Sequence, residues 1–137
     1  MILVTRDEMD PREVEATLSP QVHGAVLTFQ GTVRLWNEGR RVKYLEYEAY
    51  PEMAEAKLKE IADEIRQREE IEDISIYHRI GKLCVGETSL VVSVASKHRR
   101  SGFDACLDTI ERIKEIVPIW KKEVWDEGEV WVGSQGA

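Results

Sequence analysis

Between Ser96 and Glu123 the chain reads SKHRRSGFDACLDTIERIKEIVPIWKKE, and its basic residues fall where chemistry on an anion would need them. Lys97, His98, Arg99 and Arg100 crowd one short loop, Ser96 to Ser101, between an apolar run that reads as a strand and a segment of helical period. In that segment Phe103, Cys106, Leu107, Ile110, Ile113 and Val117 share one arc at about 100° per residue. Lys114 projects inside the same arc. A core-facing amine loses hydration that only an anion restores, so Lys114 reads as aimed into a site. The bland alternative is a lysine that snorkels to water from the helix's apolar margin. Pro118 ends the helix, and Trp120-Lys121-Lys122 follow at once, so three groups of cations converge on one loop-helix-loop unit. Such a set can bind a phosphate or carboxylate through charge-assisted hydrogen bonds, while a lysine of lowered pKa, or His98, moves a proton.

These groups need a scaffold, and the rest of the chain supplies one. Asp10-Pro11-Arg12-Glu13 carries an N-cap, a first-turn proline and a Glu three positions after the cap, so a short helix starts there and Ser19-Pro20 stops it. Val22 to Phe29 reads as a strand, followed by Gln30-Gly31-Thr32-Val33-Arg34 and a polar loop, Asn37-Glu38-Gly39-Arg40-Arg41, with turn chemistry at its centre. Val42 to Tyr50 alternates as a strand with Leu45, Tyr47 and Ala49 on one face. Pro51 opens a long helix whose Ala54, Leu58, Ile61, Ala62 and Ile65 recur at helical spacing. Ile74 to Ile80 and Thr88 to Ala95 are two more strands separated by a hairpin-like turn from Gly81 to Gly86, and Glu129-Val130-Trp131-Val132 closes the sheet. The order predicts an antiparallel-rich α+β fold with helices packed on one sheet face. If the strand ends lie side by side, Arg34, His98, Arg99, Lys114 and Lys121 line one pocket. A loop arginine that pairs with Glu38 or another surface acid is the alternative for Arg34.

Composition bounds the function. The 137 residues hold a single domain with a real core, and no linker or repeat divides it. With 19 Lys+Arg against 26 Asp+Glu, the net charge of −7 argues against nucleic-acid binding, which needs a broad positive footprint. Cys84 and Cys106 share no metal-ligand spacing with each other or with His23, His78 and His98, so neither a metal nor a disulfide framework is expected, and a reducing cytoplasm fits best. No apolar run approaches the ~20 residues of a membrane span, and Met1-Ile2-Leu3-Val4 is too short for a signal peptide.

Several separated motifs, in order from Gly24 to Trp131, resemble one family. They are Phe29-Gln30-Gly31-Thr32-Val33-Arg34, Tyr47-Glu48-Ala49-Tyr50-Pro51-Glu52-Met53, His78-Arg79-Ile80-Gly81, Ser96-Lys97-His98-Arg99 and Pro118-Ile119-Trp120-Lys121-Lys122-Glu123. The chain resembles the large, catalytic subunits of molybdopterin synthase. The resemblance implies an α/β hammerhead-type fold and a homodimer of large subunits within a heterotetramer. Each end of that assembly would carry a small ubiquitin-like sulfur-carrier subunit, whose C-terminal Gly-Gly thiocarboxylate gives sulfur to cyclic pyranopterin monophosphate. It implies no cofactor.

Residue by residue, the resemblance puts Arg34 in an anion pocket with Thr32 and Val33 beside it, and His98 and Arg99 on the pterin or its phosphate. It puts Lys114 near the small subunit's terminal glycine, and Lys121 after the tryptophan with Lys122 and Glu123 continuing the substrate-contacting stretch. Lys114 and Lys121 are its catalytic candidates. Where members of the family have an arginine after the final Trp-Val, this chain has Gly133-Ser134-Gln135, and it stops at Ala137 without the longer tail of some relatives. From the residues alone, a non-catalytic module that binds an anionic metabolite or an acidic peptide tail is the rival reading.

Overall fold

A computed structural model describes residues 1–19, 23–126 and 128–132. Pro20, Val22, Gly133, Ser134, Gln135 and Ala137, which figure in the sequence reading, lie outside the described residues. The elements run β1 (Ile2–Thr5), α1 (Pro11–Glu15), β2 (Ala25–Thr32), β3 (Trp36–Asn37), β4 (Arg40–Ala49), α2 (Pro51–Arg66), β5 (Ile71–Arg79), β6 (Gly81–Cys84), β7 (Thr88–Ser96), α3 (Arg99–Ile116), β8 (Ile119–Trp125) and β9 (Gly128–Val132).

Two sheets form. The first has the order β1-β5-β7-β2, antiparallel except for the β1–β5 pair. The second runs β3-β4-β8-β9, and β6 pairs with β4. The result is an α+β, hammerhead-type architecture rich in antiparallel pairs. On β5 and β7, Ile74, Ile76, Leu90, Val92 and Val94 project to one face, where Leu58, Ile61, Ala62 and Ile65 of α2 and Ala105, Cys106 and Ile113 of α3 complete the core. The two long helices cover this face. The short α1 lies across the opposite face, where Thr17 Oγ1 bonds Ser75 Oγ at 2.6 Å and Glu15 accepts from Thr28 Oγ1 at 2.5 Å.

Local chemistry sets the ends of the elements. Asp10 caps α1, its carboxylate accepting from Arg12 N at 2.9 Å. Pro51 opens α2, and α3 stops at Ile116, two residues before Pro118. The loop through Asn37–Arg41 is a two-residue hairpin turn, with φ of 51° at Glu38 and 78° at Gly39, the left-handed geometry that fits the twist of its strands.

Three expectations change. The stretch from Gly81 to Gly86 is more than a turn between β5 and β7: Gly81–Cys84 leaves the first sheet to pair with Tyr44–Tyr47 of the second. Trp120-Lys121-Lys122 is not a loop but the middle of β8, antiparallel to β4. The buried arc of α3 is also rotated. Gly102, Ala105, Cys106, Thr109 and Ile113 face the core, while Phe103 and Leu107 stand 63% and 56% exposed. Small residues cause the rotation, since at Gly102 an added Cβ would lie 2.6 Å from Leu27 and from Ser96 Oγ, so only glycine lets the helix sit this close to β2 and β7. No helix among the described residues is long and apolar enough to cross a membrane.

Candidate active site

Between the two sheets and the C-terminal end of α3 lies a cavity of about 330 Å³. Thr32 and Arg34 reach it from the end of β2, Tyr47 and Leu45 from β4, Ile110 and Lys114 from α3, and Lys121 and Glu123 from β8. The register explains the last pair: Lys121 stands opposite Tyr47 and Glu123 opposite Leu45, so strand alternation sends both side chains inward while Trp120 and Lys122 point away. Pro118 makes this possible by ending the helix early enough for the chain to return as a strand.

The electrostatics are lopsided, three cations against one carboxylate. Arg34, Lys114 and Lys121 have no ion-pair partner within 4.0 Å among the described residues, whereas Glu38, the alternative partner for Arg34, pairs with Arg40 at 3.2 Å. Lys121 is only 8% exposed. Its ammonium is pushed below the usual lysine range chiefly by burial and further by Arg34 and Lys114, with Glu123 opposing them. Glu123, 3% exposed, accepts a 2.8 Å hydrogen bond from Asn37 Nδ2. Tyr47, 4% exposed, has its phenol raised by burial, and its ring stands edge-on to His78 at 5.2 Å. A buried amine flanked by cations holds its proton loosely, so it can bind an anion and exchange a proton with it.

The sequence-derived candidates divide. Thr32, Arg34, Lys114, Lys121 and Glu123 meet at the cavity. Val33 is buried beside them, and its backbone binds the turn at Gly86 and Glu87. Lys122 faces the other way, paired with Glu46 at 3.1 Å and over the Trp131 ring. His98 and Arg99 do not join the cavity of their own chain: with Arg100, Phe103 and Asp104 they line a separate hollow. The reason is length, since Lys114 lies 15 positions after Arg99 along α3, about 22 Å at 1.5 Å per residue. The basic loop is also shorter than expected, with Arg99 and Arg100 already in the first turn of α3 and His98 hydrogen-bonded to Glu70. Asn37, Tyr47 and Ser89 are polar lining residues that sequence reasoning missed, Asn37 because its type and place next to Glu38-Gly39 signal only a turn, the other two because they read as ordinary strand positions.

The fold and this cavity define a class: hammerhead-type α+β domains with a lysine-lined cavity between two sheets. A family model described as MoaE protein matches residues 4–116. A molybdopterin synthase catalytic subunit of Halalkalibacterium halodurans is 48% identical over 91% of this chain and 82% of its own. One of Bacillus subtilis is 44% identical over 96% of this chain and 84% of its own. The crystal structure of molybdopterin synthase from Staphylococcus aureus superimposes with a TM-score of 0.89 at 42% identity, covering 95% of both chains. The chain belongs to the MoaE protein family.

Proposed function

We propose that this chain, as one domain over residues 1–137, is the sulfur-transferring catalytic subunit of a cytoplasmic molybdopterin synthase. Its substrates are cyclic pyranopterin monophosphate and the thiocarboxylated C-terminal Gly-Gly of a small ubiquitin-like subunit, and its product is the molybdopterin dithiolene. The observation that carries the reading is the cavity with its three unpaired cations. Both substrates are anions, and Arg34, Lys114 and Lys121 offer them charge-assisted hydrogen bonds. Sulfur addition to the pterin side chain needs proton transfers and the loss of oxygen leaving groups, and Lys121, with its loosely held proton, is suited to deliver them. The small subunit's tail reaches Lys114 as an extended peptide.

The hollow at His98 and Arg99 finds a use if two copies pair along α3. Phe103, Leu107, Ile110 and Lys114 form one line along that helix, at spacings of four, three and four residues. The midpoint between Arg99 and Lys114 falls beside Leu107. An antiparallel pair of α3 helices with its two-fold axis there sets Phe103 of each copy against Ile110 of the other, and the partner's Arg99 and His98 beside Lys114. Phe103 and Leu107, exposed in one chain, are then covered, and the site is completed from both sides.

Purified chain mixed with a thiocarboxylated small subunit and the cyclic pterin tests the reading. Dithiolene product is the expected result. Retention of the pterin or the tail without turnover would reduce the chain to a binding module.

A further inference from the structure

We propose that Asn37 is a positioning residue, whose side-chain amide holds the Glu123 carboxylate away from Lys121 and so keeps the cavity's cations available for an anionic substrate. The inference rests on the sulfur-transfer reading of the cavity and deepens it.

Lys121 and Glu123 share the inward face of β8, two residues apart, and both are almost fully buried. Opposite charges so placed in a low-dielectric cavity attract strongly. They nevertheless form no ion pair within 4.0 Å among the described residues, while Asn37 Nδ2 lies 2.8 Å from Glu123 Oε2. Asn37 can hold this position because its own backbone is fixed. It pairs with Arg40 across β3–β4, and the Glu38–Gly39 turn closes the hairpin in a single tight geometry. A carboxylate released from the amide has cations to collapse on, and each such contact removes a donor from the substrate.

The charged and titratable groups around the Lys121 amine are Arg34 after β2, Lys114 from α3, Tyr47 from β4 and Glu123 on its own strand. Burial and the two cations lower its proton affinity, and Glu123 is the group that raises it. Closing Glu123 onto Lys121 therefore moves the amine's titration upward.

The experiment has two arms on the full chain. In the first, reductive methylation with ¹³C-formaldehyde followed by NMR titration reads the Lys121 amine directly, its signal assigned by Lys121→Arg. Asn37→Ala should raise the midpoint, and Asn37→Ala combined with Glu123→Gln should not. In the second, steady-state sulfur transfer with the small subunit and the cyclic pterin should show a raised KM for the pterin and a pH-rate profile displaced in the same direction. The double variant should be no worse than Glu123→Gln alone. Asn37→Leu, which is close in size but has no donor for the carboxylate and adds no charge, carries both measurements if the alanine variant unfolds. An unmoved Lys121 titration in a folded Asn37 variant would overturn the proposal, as would additive losses in the double variant. The first arm needs no turnover, so failure of the sulfur-transfer reading would appear separately, as an inactive wild-type chain.

Discussion

If two copies pair along α3 as proposed, each site becomes the property of two chains, and a hybrid dimer tests this. One copy would carry His98→Ala and Arg99→Ala, the other Lys121→Ala, with different affinity tags so that tandem purification yields only the hybrid. Loss of a charge-assisted contact to a partly buried anion costs about 1.5–3 kcal/mol, or roughly 10- to 150-fold in rate. Each homodimeric variant should therefore fall well below a tenth of wild-type sulfur transfer. If the pair acts across the dimer, the Lys121→Ala copy lends intact His98 and Arg99 to the intact Lys121 of its partner, and the second site carries every lesion. One site in two then works, and the hybrid should show about half of wild-type activity. If His98 and Arg99 serve their own chain, both sites are damaged and the hybrid is as poor as its parents. Single-turnover transfer on the purified hybrid distinguishes these outcomes, and a hybrid at parental level would refute the α3 pairing.

Other expectations are simpler to reach. Lys114→Met should keep or slightly raise the melting temperature, since an amine at a half-buried position gives way to an apolar chain of similar length, while single-turnover sulfur transfer collapses. Gly102→Ala should lower stability by about 1–3 kcal/mol in chemical denaturation, because its Cβ would lie 2.6 Å from Ser96 Oγ, itself tied to His98 O at 2.7 Å. Acid should act in two windows. Burial holds His78 down to about 4 against 6.5, so the unfolded chain binds the extra proton first and about 3 kcal/mol is lost as pH falls from 6.5 towards 4. Glu87, held at about 2 chiefly by Arg79, contributes stability that is present above 4.5 and lost as pH falls towards 2. Thermal melts across pH should show both slopes, and Arg79→Gln should flatten only the lower one.

What the sequence made legible follows from what periodicity can count. The α2 helix was plain because Pro51 marks its start and Ala54, Leu58, Ile61, Ala62 and Ile65 all face one core. In α3 the same count merged two faces. Phe103 and Leu107 are apolar yet exposed, and the residues that seat the helix, Gly102, Ala105 and Thr109, are too small or too polar to register as a hydrophobic stripe. Strand β8 escaped notice for a related reason, since its inward positions are Lys121 and Glu123 where a strand pattern expects apolar residues. The oddity that hid the strand also marks the site. Lys114 was readable as a site residue because a charge inside an apolar arc asks for an explanation, and its meeting with Arg34 and Lys121 followed the chain's topology. The distance between His98 and Lys114 was not readable, because two basic groups in one sequence segment look close until a helix is laid between them.

The excursion of β6 has a consequence for how the molecule opens. Gly81–Cys84 leaves the end of β5, hydrogen-bonds to β4 beside the cavity and returns into β7, so one continuous run of chain is stitched into both sheets. Neither wall of the cavity can melt without pulling on the other, and the amides of β4, β6 and β8 should exchange with solvent together with those of β5 and β7, as one foldon. A breathing motion that admits a peptide tail is then expected at β9, the edge of the second sheet away from the Asn37 hairpin, and the lysine-bearing centre stays closed while that rim moves.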